Sequence, residues 1–146
     1  MFSQAAKYAI RAVLCLAIDK SKDNKARVKE IAKRLDIPAP FLAKILQELA
    51  KNKLISSSKG PKGGFYLTEE NLNRPLINII ELYDGLALFD KCVLGLNECS
   101  SQNPCPLHKE VSTFKLEMYN LLGHQSIKDI AKRVKNGEAT LWNKIS

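Results

Sequence analysis

The sequence predicts a mainly α-helical chain with one small β-hairpin, in the order of a winged helix-turn-helix followed by one long helix. Apolar residues recur at helical spacing along most of the 146 residues. One glycine-rich turn separates two short runs that favour β-strands. With 45% hydrophobic and 26% charged residues, the chain can bury a core and does not have the composition of a disordered protein.

Two helices account for most of the first 35 residues. Ser3 can cap a helix that runs to about Asp19, where alanines and aliphatic residues recur at helical spacing. Cys15 falls within its apolar run, and we interpret it as a small core residue. After a polar link, Val28–Leu35 is predicted as a second, short helix, which Pro38 separates from the next one.

A third helix and a hairpin follow. The helix begins near Pro40, because proline suits the first helical position, and Asn52 can adopt the left-handed conformation that ends it. Leu54–Ser58 and Phe65–Thr68 are predicted as two strands. The segment between them, Gly60–Gly64, is rich in residues of special backbone geometry, which indicates a tight turn.

Three more helices and a loop complete the predicted fold. A fourth helix opens at Pro75 and ends at Gly85, and residues 86–105 form a loop that holds three cysteines. A fifth helix covers residues 106–123, and Ser126 can cap a last short helix. The fifth helix carries apolar residues at the spacing of a coiled-coil seam: Leu107, Val111, Phe114, Met118 and Leu121.

The positive charge is concentrated in the first half of the chain. The formal net charge is +8, yet residues 1–66 hold 14 Lys and Arg against 5 Asp and Glu, whereas residues 67–146 hold 9 against 10. A local positive field suggests a polyanionic partner, with nucleic acid first and an anionic membrane surface second. A basic surface kept for solubility is the alternative.

The first three helices and the hairpin together make a winged helix-turn-helix, whose third helix can enter the major groove of duplex DNA. On that helix Lys44 can donate to guanine and Gln47 can pair with adenine, while Lys51 and Arg34 are better placed for phosphates. The other candidate DNA-binding residues start the helix or form the narrow hairpin tip: Pro40, Phe41, Lys59, Gly60, Pro61 and Lys62. The alternative is a three-helix core with a solvated basic face.

Three cysteines and a histidine cluster before the long helix, with the spacing Cys92-x6-Cys99-x5-Cys105-x2-His108. Three thiolates in one flexible loop can converge on a soft metal centre, and the wide spacing suits an iron–sulfur cluster better than a zinc finger. Cys105 lies at the helix N-terminus, which favours a thiolate, and His108 lies within reach in the first turn. Unliganded thiols, a reversible disulfide and a solvated histidine are the alternatives.

Motifs along most of the chain match one known family. They are Lys7–Ala12, Ile31-Ala32, Ile37-Pro38, Phe41-Leu42, Leu46, the hairpin Ser56–Leu67, and the three loop cysteines with Pro106-Leu107-His108. Up to about residue 135 the chain therefore resembles the Rrf-two family of bacterial transcription regulators, which includes the IscR and NsrR types. A glycine-rich wing followed by three cysteines is a specific combination.

The resemblance implies a homodimer that binds a palindromic operator in double-stranded DNA. It divides the chain into a winged helix-turn-helix domain at residues 1–85, a cysteine loop at residues 86–108, and a dimerisation helix with a C-terminal short helix at residues 106–146. In the dimer, the long helix packs against its twin. Phe41 and the prolines replace hydroxyl-bearing residues that are common at the start of the third helix, which implies a different operator preference.

The resemblance also implies a 2Fe–2S cluster, less often a 4Fe–4S cluster, held by the three loop cysteines. The fourth ligand varies in the family: some members use a histidine just after the third cysteine, here His108, and others use a carboxylate near the start of the partner's first helix. That position holds Lys7 or Tyr8 in this chain, so we favour His108. Six residues separate the first two cysteines here, and five separate them in the best-known members.

These observations predict a DNA-binding repressor, not an enzyme, whose operator binding depends on the state of the cluster. Loading of the cluster, its oxidation or its reaction with nitric oxide would alter the geometry of the loop. This change would shift the two third helices of the dimer, which must lie ~34 Å apart to enter successive major grooves. A cluster-free regulator of the same fold that senses oxidants through its thiols is the alternative. A small redox or metal-transfer enzyme is a third interpretation, but CxxC and Ser/His/Asp patterns are missing from the sequence.

The sequence gives no indication of a membrane or secreted protein. Its longest apolar run is shorter than the ~20 residues that span a bilayer, and the N-terminus lacks the pattern of a signal peptide. A cysteine cluster without such a signal more often binds metal or is redox-active than forms disulfides. We therefore expect a cytoplasmic protein.

Overall fold

The computed structural model describes residues 1–142, so residues 143–146 of the predicted C-terminal part lie outside the described residues. Helices and strands within residues 1–142 are α1 (Gln4–Asp19), α2 (Val28–Leu35), α3 (Ala39–Lys51), β1 (Ser56–Ser58), β2 (Gly64–Tyr66), α4 (Glu69–Leu72), α5 (Ile77–Asp84), α6 (His108–His124) and α7 (Ile127–Lys135). A single 3-10 turn, Leu86–Phe89, follows α5. The predicted mainly helical fold with one hairpin is confirmed.

The ends of the first three helices follow local signals. The Ser3 side chain accepts a hydrogen bond from the backbone amide three residues on, at 3.1 Å, and so caps α1 as predicted. Asp36, in the left-handed conformation with φ of 54°, ends α2. The prediction for Asn52 is wrong: its amide still bonds to the Glu48 carbonyl, and the left-handed residue is Lys53 with φ of 59°.

The helix α1 lies at the centre of the hydrophobic core and packs against α2, α3, α5 and α7. Its inner face is fully buried, with Ala9, Ala12 and Leu16 all at 0% exposure. Cys15 is buried among them, which confirms its interpretation as a core residue. Burial raises the pKa of the Cys15 thiol, so this cysteine is neutral at physiological pH.

The helix α7 belongs to the same core, although it follows the long helix in the chain. Ser126 caps α7 as predicted, by accepting a hydrogen bond from the Asp129 amide at 3.1 Å. Ile127 and Ala131 are each 2% exposed and face the core. The C-terminal short helix, which chain order groups with the dimerisation helix, thus packs against the winged helix-turn-helix domain instead.

The hairpin is shorter than the predicted strands, and we call it, with its connecting turn, the wing (residues 56–66). Its strands are antiparallel, with Ser56 opposite Tyr66. The link before α2 adds a third backbone partner: the Ala26 amide donates to the Phe65 carbonyl at 2.9 Å, and the Phe65 amide donates back at 2.7 Å. The wing is therefore joined directly to the segment that precedes α2.

Apolar periodicity gives no sign of α4, a single turn between the wing and α5. Thr68 and Asn71 form a capping box at its start. Asn71 is buried at 5% exposure; its side-chain oxygen accepts from the Ser56 hydroxyl at 2.8 Å, and its amide nitrogen donates to the Lys53 carbonyl at 3.2 Å. This turn therefore fixes the base of the wing through a fully bonded polar side chain.

The helix α6 differs from the others, because none of its residues, all of which the structure describes, is buried. It begins at His108 rather than Pro106, since the His108 amide still bonds to the Cys105 carbonyl in a turn. It continues past Gly123, which weakens a helix without stopping it. Although one side of α6 is apolar, no helix within residues 1–142 is long and apolar enough to cross a bilayer.

Candidate nucleic-acid interface and cysteine site

The outward face of α3 carries most of the helix residues predicted to contact DNA. Four of them are exposed and lie about one turn apart: Pro40, Lys44, Gln47 and Lys51. The opposite face anchors the helix through buried residues: Leu42, Ile45, Leu46 and Leu49. Phe41 is 58% exposed, and its ring meets the Tyr8 ring edge-on at a centroid distance of 6.3 Å. The helix thus presents a polar stripe with an aromatic residue at its start.

A groove of about 800 Å³ runs between α3 and the wing. Gln47 and Lys51 line it from the helix side, and Lys59 and Gly60 line it from the wing side. The fold therefore brings together residues that the sequence places in two separate segments. Exposed lysines on both walls can approach phosphate oxygens, and the amide of Gln47 can reach a base edge.

The tip of the wing is a tight, exposed turn. The Gly63 amide donates to the Gly60 carbonyl at 2.9 Å, and Pro61 and Lys62 lie at the apex. Gly60 has a φ of 97°, a conformation that glycine adopts without strain. Lys59 and Lys62 are both exposed beside this turn, so the tip combines a narrow shape with positive charge.

Arg34 does not join these residues. Its guanidinium lies 3.4 Å from the Asp19 carboxylate and 5.3 Å from the centre of the Trp142 ring. The end of α1 and the C-terminal segment therefore engage this side chain. Arg27, which sequence patterns do not single out, lines the groove between α3 and the wing.

In the cysteine loop, Cys92 and Cys105 lie side by side. The backbone amides of Leu94 and Leu96 and the Cys105 thiol are the groups near the Cys92 sulfur that act on its charge. The two amides, followed by Cys105 and the Lys115 ammonium, lower the pKa of the Cys92 thiol. The loop thus stabilises a thiolate at this position.

Cys99 and His108 form a second pair. The Cys99 sulfur lies 3.4 Å from the His108 Nδ1 atom, and both side chains are partly buried. They face a groove of about 540 Å³ whose other walls include Lys115 and Tyr119 of α6. The first turn of α6 therefore brings the predicted histidine to one of the predicted cysteines.

The four soft donors occur as two pairs rather than as one group. Among residues 1–142, no three His, Cys, Asp or Glu side chains lie close enough together to hold a single metal ion. A 2Fe–2S cluster contains two irons that each take two protein ligands. All the cysteines are free thiols, so three thiols and an imidazole, arranged as two pairs, fit such a cluster in number and type.

The end of α5 connects the cysteine loop to the DNA-binding elements. The Tyr83 hydroxyl donates to the Ile45 carbonyl of α3 at 3.2 Å, and burial raises the pKa of Tyr83, which keeps this donor protonated. The Asp84 carboxylate accepts hydrogen bonds from the Ser3 amide, at 2.9 Å, and from the Ser3 hydroxyl. Gly85, with φ of 73°, then turns the chain into the cysteine loop.

Sequence comparisons identify related regulators. A family model described as Rrf2, iron-dependent transcriptional regulator, matches residues 2–133. A protein of Aquifex aeolicus (strain VF5) named as an HTH-type transcriptional regulator is 36% identical over 132 residues, which cover 89% of this chain and 90% of the relative. The HTH-type transcriptional regulator IscR of Yersinia pseudotuberculosis is 27% identical over 139 residues, with coverage of 89% and 84%.

Structural comparisons agree. CymR of B. subtilis, described as the global cysteine regulator, has a TM-score of 0.72 at 20% identity and covers 90% of this chain and 96% of its own. T. potens IscR has a TM-score of 0.69 at 19% identity, with coverage of 96% and 92%. At these identities the likeness concerns the fold alone, and it confirms the winged-helix architecture that the sequence predicts.

Proposed function

Because this chain belongs to the Rrf2 family of transcriptional regulators, as its motifs predict, we propose that it is a homodimeric repressor whose operator binding depends on an iron–sulfur cluster. Membership of the family makes it a DNA-binding regulator rather than an enzyme. The observation that carries the cluster is the 3.4 Å approach of the Cys99 sulfur to His108, beside a Cys92 thiol whose pKa is lowered in part by Cys105. The description of the family as iron-dependent adds support.

We assign the DNA contacts to the exposed face of α3 and to the wing. The proposed contact residues are Pro40, Phe41, Lys44, Gln47, Lys51, Lys59, Gly60, Pro61 and Lys62. Their exposure and the groove between the two elements support this assignment. Arg34 is left out, because Asp19 and Trp142 already engage its guanidinium. The partner is double-stranded DNA, and the site of action is the cytoplasm.

The exposed apolar side of α6 supports the homodimer. Leu107, Phe114 and Leu121 follow one another at intervals of seven residues and are 45%, 49% and 55% exposed. Such a spacing lets two helices interlock along a shared seam, and burial of these side chains is the driving force. A two-fold dimer presents two copies of α3, which matches a palindromic operator.

The cysteine loop is placed to influence α3. A bound cluster would supply sensitivity to oxidants, nitric oxide or iron supply. Cys92, Cys99 and Cys105 would tie the loop to His108 at the start of α6. Because the loop leaves directly from the end of α5, a displacement of the loop reaches α3 through the hydrogen bond of Tyr83. The two copies of α3 then change their separation.

Anaerobic purification tests the cluster. We expect a coloured protein with about two irons and two sulfides per chain. Cys92→Ala, Cys99→Ala and Cys105→Ala should each lose iron and visible absorption, whereas the matched control Cys15→Ala should keep both. His108→Cys should retain iron with a lower reduction potential, since imidazole ligands raise it. Colourless, iron-free protein that still binds its operator fully would contradict cluster gating.

A cluster-free thiol sensor is the second candidate, because backbone amides and, to a lesser degree, Cys105 lower the pKa of the Cys92 thiol. Peroxide would oxidise the two thiols to a disulfide and would itself be reduced to two water molecules. Mass spectrometry after alkylation, with and without peroxide, should then identify a linked Cys92–Cys105 peptide in the iron-free protein. DNA binding that changes with peroxide and recovers with a reductant supports this candidate over the cluster.

A further inference from the structure

We infer that Arg27 is a positioning residue, which holds the wing in the conformation that binds DNA. Its Nη2 atom donates to the Gly60 carbonyl at 3.3 Å and to the Pro61 carbonyl, which lie 33 and 34 positions further along the chain. These are consecutive carbonyls at the apex of the wing. The inference rests on the proposed DNA contacts of the wing, and it is independent of the cluster.

The place of Arg27 in the chain is unusual for an arginine. It is the N-cap residue of α2, with φ of −92° and ψ of 158°, yet its side chain makes no capping hydrogen bond. This position favours short acceptor side chains, and three other helices of this chain use them: Ser3, Thr68 and Ser126. A guanidinium has donors only, and its positive charge lies at the positive end of the helix dipole.

The wing has little else in its own structure to order the tip. Each strand is three residues long, and residues 59–62 are all exposed. The neighbouring residue of Arg27 supports the wing through its backbone, since Ala26 pairs with Phe65. Gly64 permits this approach, because a Cβ atom there would lie 2.8 Å from the Ala26 carbonyl oxygen. Residues 26 and 27 thus support the wing at its base and at its apex.

Bracing of this kind changes DNA affinity without a direct DNA contact. A mobile tip must be ordered when it enters a groove, and this ordering reduces affinity. A tip that the guanidinium already holds loses less freedom on binding. A direct contact between Arg27 and a phosphate would instead contribute about one unit to the slope of log affinity against log salt concentration. The salt dependence therefore separates the two roles.

The test compares Arg27→Ser, Arg27→Lys and the control Lys29→Ser, a nearby exposed basic residue on α2 that does not line the groove. The probe is a duplex of about 30 base pairs, long enough for two half-sites, that the wild-type protein enriches from a random-sequence pool. Affinity is measured by fluorescence anisotropy at several salt concentrations. Hydrogen exchange of the Gly63 amide reports on the tip, and thermal unfolding reports on α2.

For Arg27→Ser we expect about tenfold weaker binding, an unchanged salt slope, faster exchange at Gly63, and an unfolding temperature that is equal or higher because serine can cap α2. Arg27→Lys should fall between serine and the wild type, since one ammonium cannot replace a planar fork of donors. Lys29→Ser should leave exchange at Gly63 unchanged.

Two results overturn the inference. One is unchanged affinity and unchanged exchange in Arg27→Ser. The other is weaker binding with a salt slope that is shallower by about one unit, which makes Arg27 a phosphate contact. If the wild-type protein enriches no duplex from the pool, the proposed DNA contacts fail; slower exchange at Gly63 in the wild type than in Arg27→Ser still measures the bracing.

Discussion

Two regions of the molecule are built in different ways. The first region comprises residues 1–85 together with α7, and the second comprises residues 86–124. In the first region α1 is surrounded on several sides, and helix after helix buries an apolar face. In the second region, all of which the structure describes, Cys92 is the one buried residue. The first region therefore has a hydrophobic core of its own, and the second lacks one.

The lack of a hydrophobic core in the second region leaves many of its apolar side chains exposed. Its loop exposes three apolar side chains around the cysteines, at 51–55%: Val93, Leu94 and Leu96. Its helix α6 exposes Phe114 and Leu121 along the proposed seam. A bound cluster would order the loop, and a second copy would cover α6. Both additions act on the region that is least able to hold its structure alone, which suits a sensor.

Deletion of core volume should have the largest effect and should separate the two regions. Leu46 on α3 is 0% exposed, so Leu46→Ala should reduce the free energy of unfolding by about 2–5 kcal/mol. The same change at Leu116 on α6, which is 61% exposed and off the proposed seam, should alter it by less than about 0.5 kcal/mol. Urea denaturation measures both, and equal losses would contradict the contrast between the regions.

A charge placed on α6 should affect assembly rather than folding. In Phe114→Asp, a carboxylate replaces an aromatic ring of the proposed seam, and we expect the dimer dissociation constant to rise about 10- to 100-fold. Asn120→Asp is the matched control, because it introduces the same side chain on α6 outside the seam. Sedimentation velocity measures the dissociation constant, and circular dichroism checks that helix content is kept. Equal dimer dissociation constants for Phe114→Asp and Asn120→Asp would contradict the proposed seam.

Tyr83 lies at the end of the first region, directly before the chain enters the second, so its hydroxyl tests how the second region acts on α3. Tyr83→Phe removes the hydrogen bond to the Ile45 carbonyl and should reduce the free energy of unfolding by about 0.5–1.5 kcal/mol. Anisotropy titrations of cluster-loaded and cluster-free protein should show a smaller difference in DNA affinity than in the wild type. If Tyr83→Phe shows the same difference in DNA affinity between cluster-loaded and cluster-free protein as the wild type, the loop does not act on α3 through this hydrogen bond.

Much of the first region could be predicted from the sequence because its signals are local. Ser3 and Ser126 cap their helices as expected, and Pro40 lies in the first turn of α3. The turn α4 was missed because its capping box uses Asn71 and its four residues are too few to show a period. The left-handed residue after α3 lies one position later than predicted, because the Asn52 amide still bonds to the Glu48 carbonyl.

The candidate sites depend on contacts that spacing does not encode. The loop cysteines and His108 could be named from sequence, but the pairing of Cys92 with Cys105 depends on how the loop folds. Arg27 and Arg34 are both basic residues of the first half. One reaches the wing and the other reaches Trp142, and each partner lies far along the chain. Residue type therefore identified the candidates, and tertiary structure determines which of them share a site.

Within the first region, the ion pair that attaches α7 to α4 should have the smallest effect on stability, and its effect should depend on pH. Lys128 lies 2.5 Å from the Glu69 carboxylate of α4, and this ion pair raises the pKa of Lys128 above 10.5. The folded state thus holds the proton more tightly than the unfolded state, so the stabilisation is complete below pH 10.5 and is lost as pH rises through the raised value. Thermal unfolding of the wild type and Lys128→Met should differ slightly at pH 7 and converge at higher pH or high salt. A difference that grows above pH 10.5 would contradict the ion pair, whereas a large difference at pH 7 would mean that α7 depends on this surface contact more than on its buried Ile127.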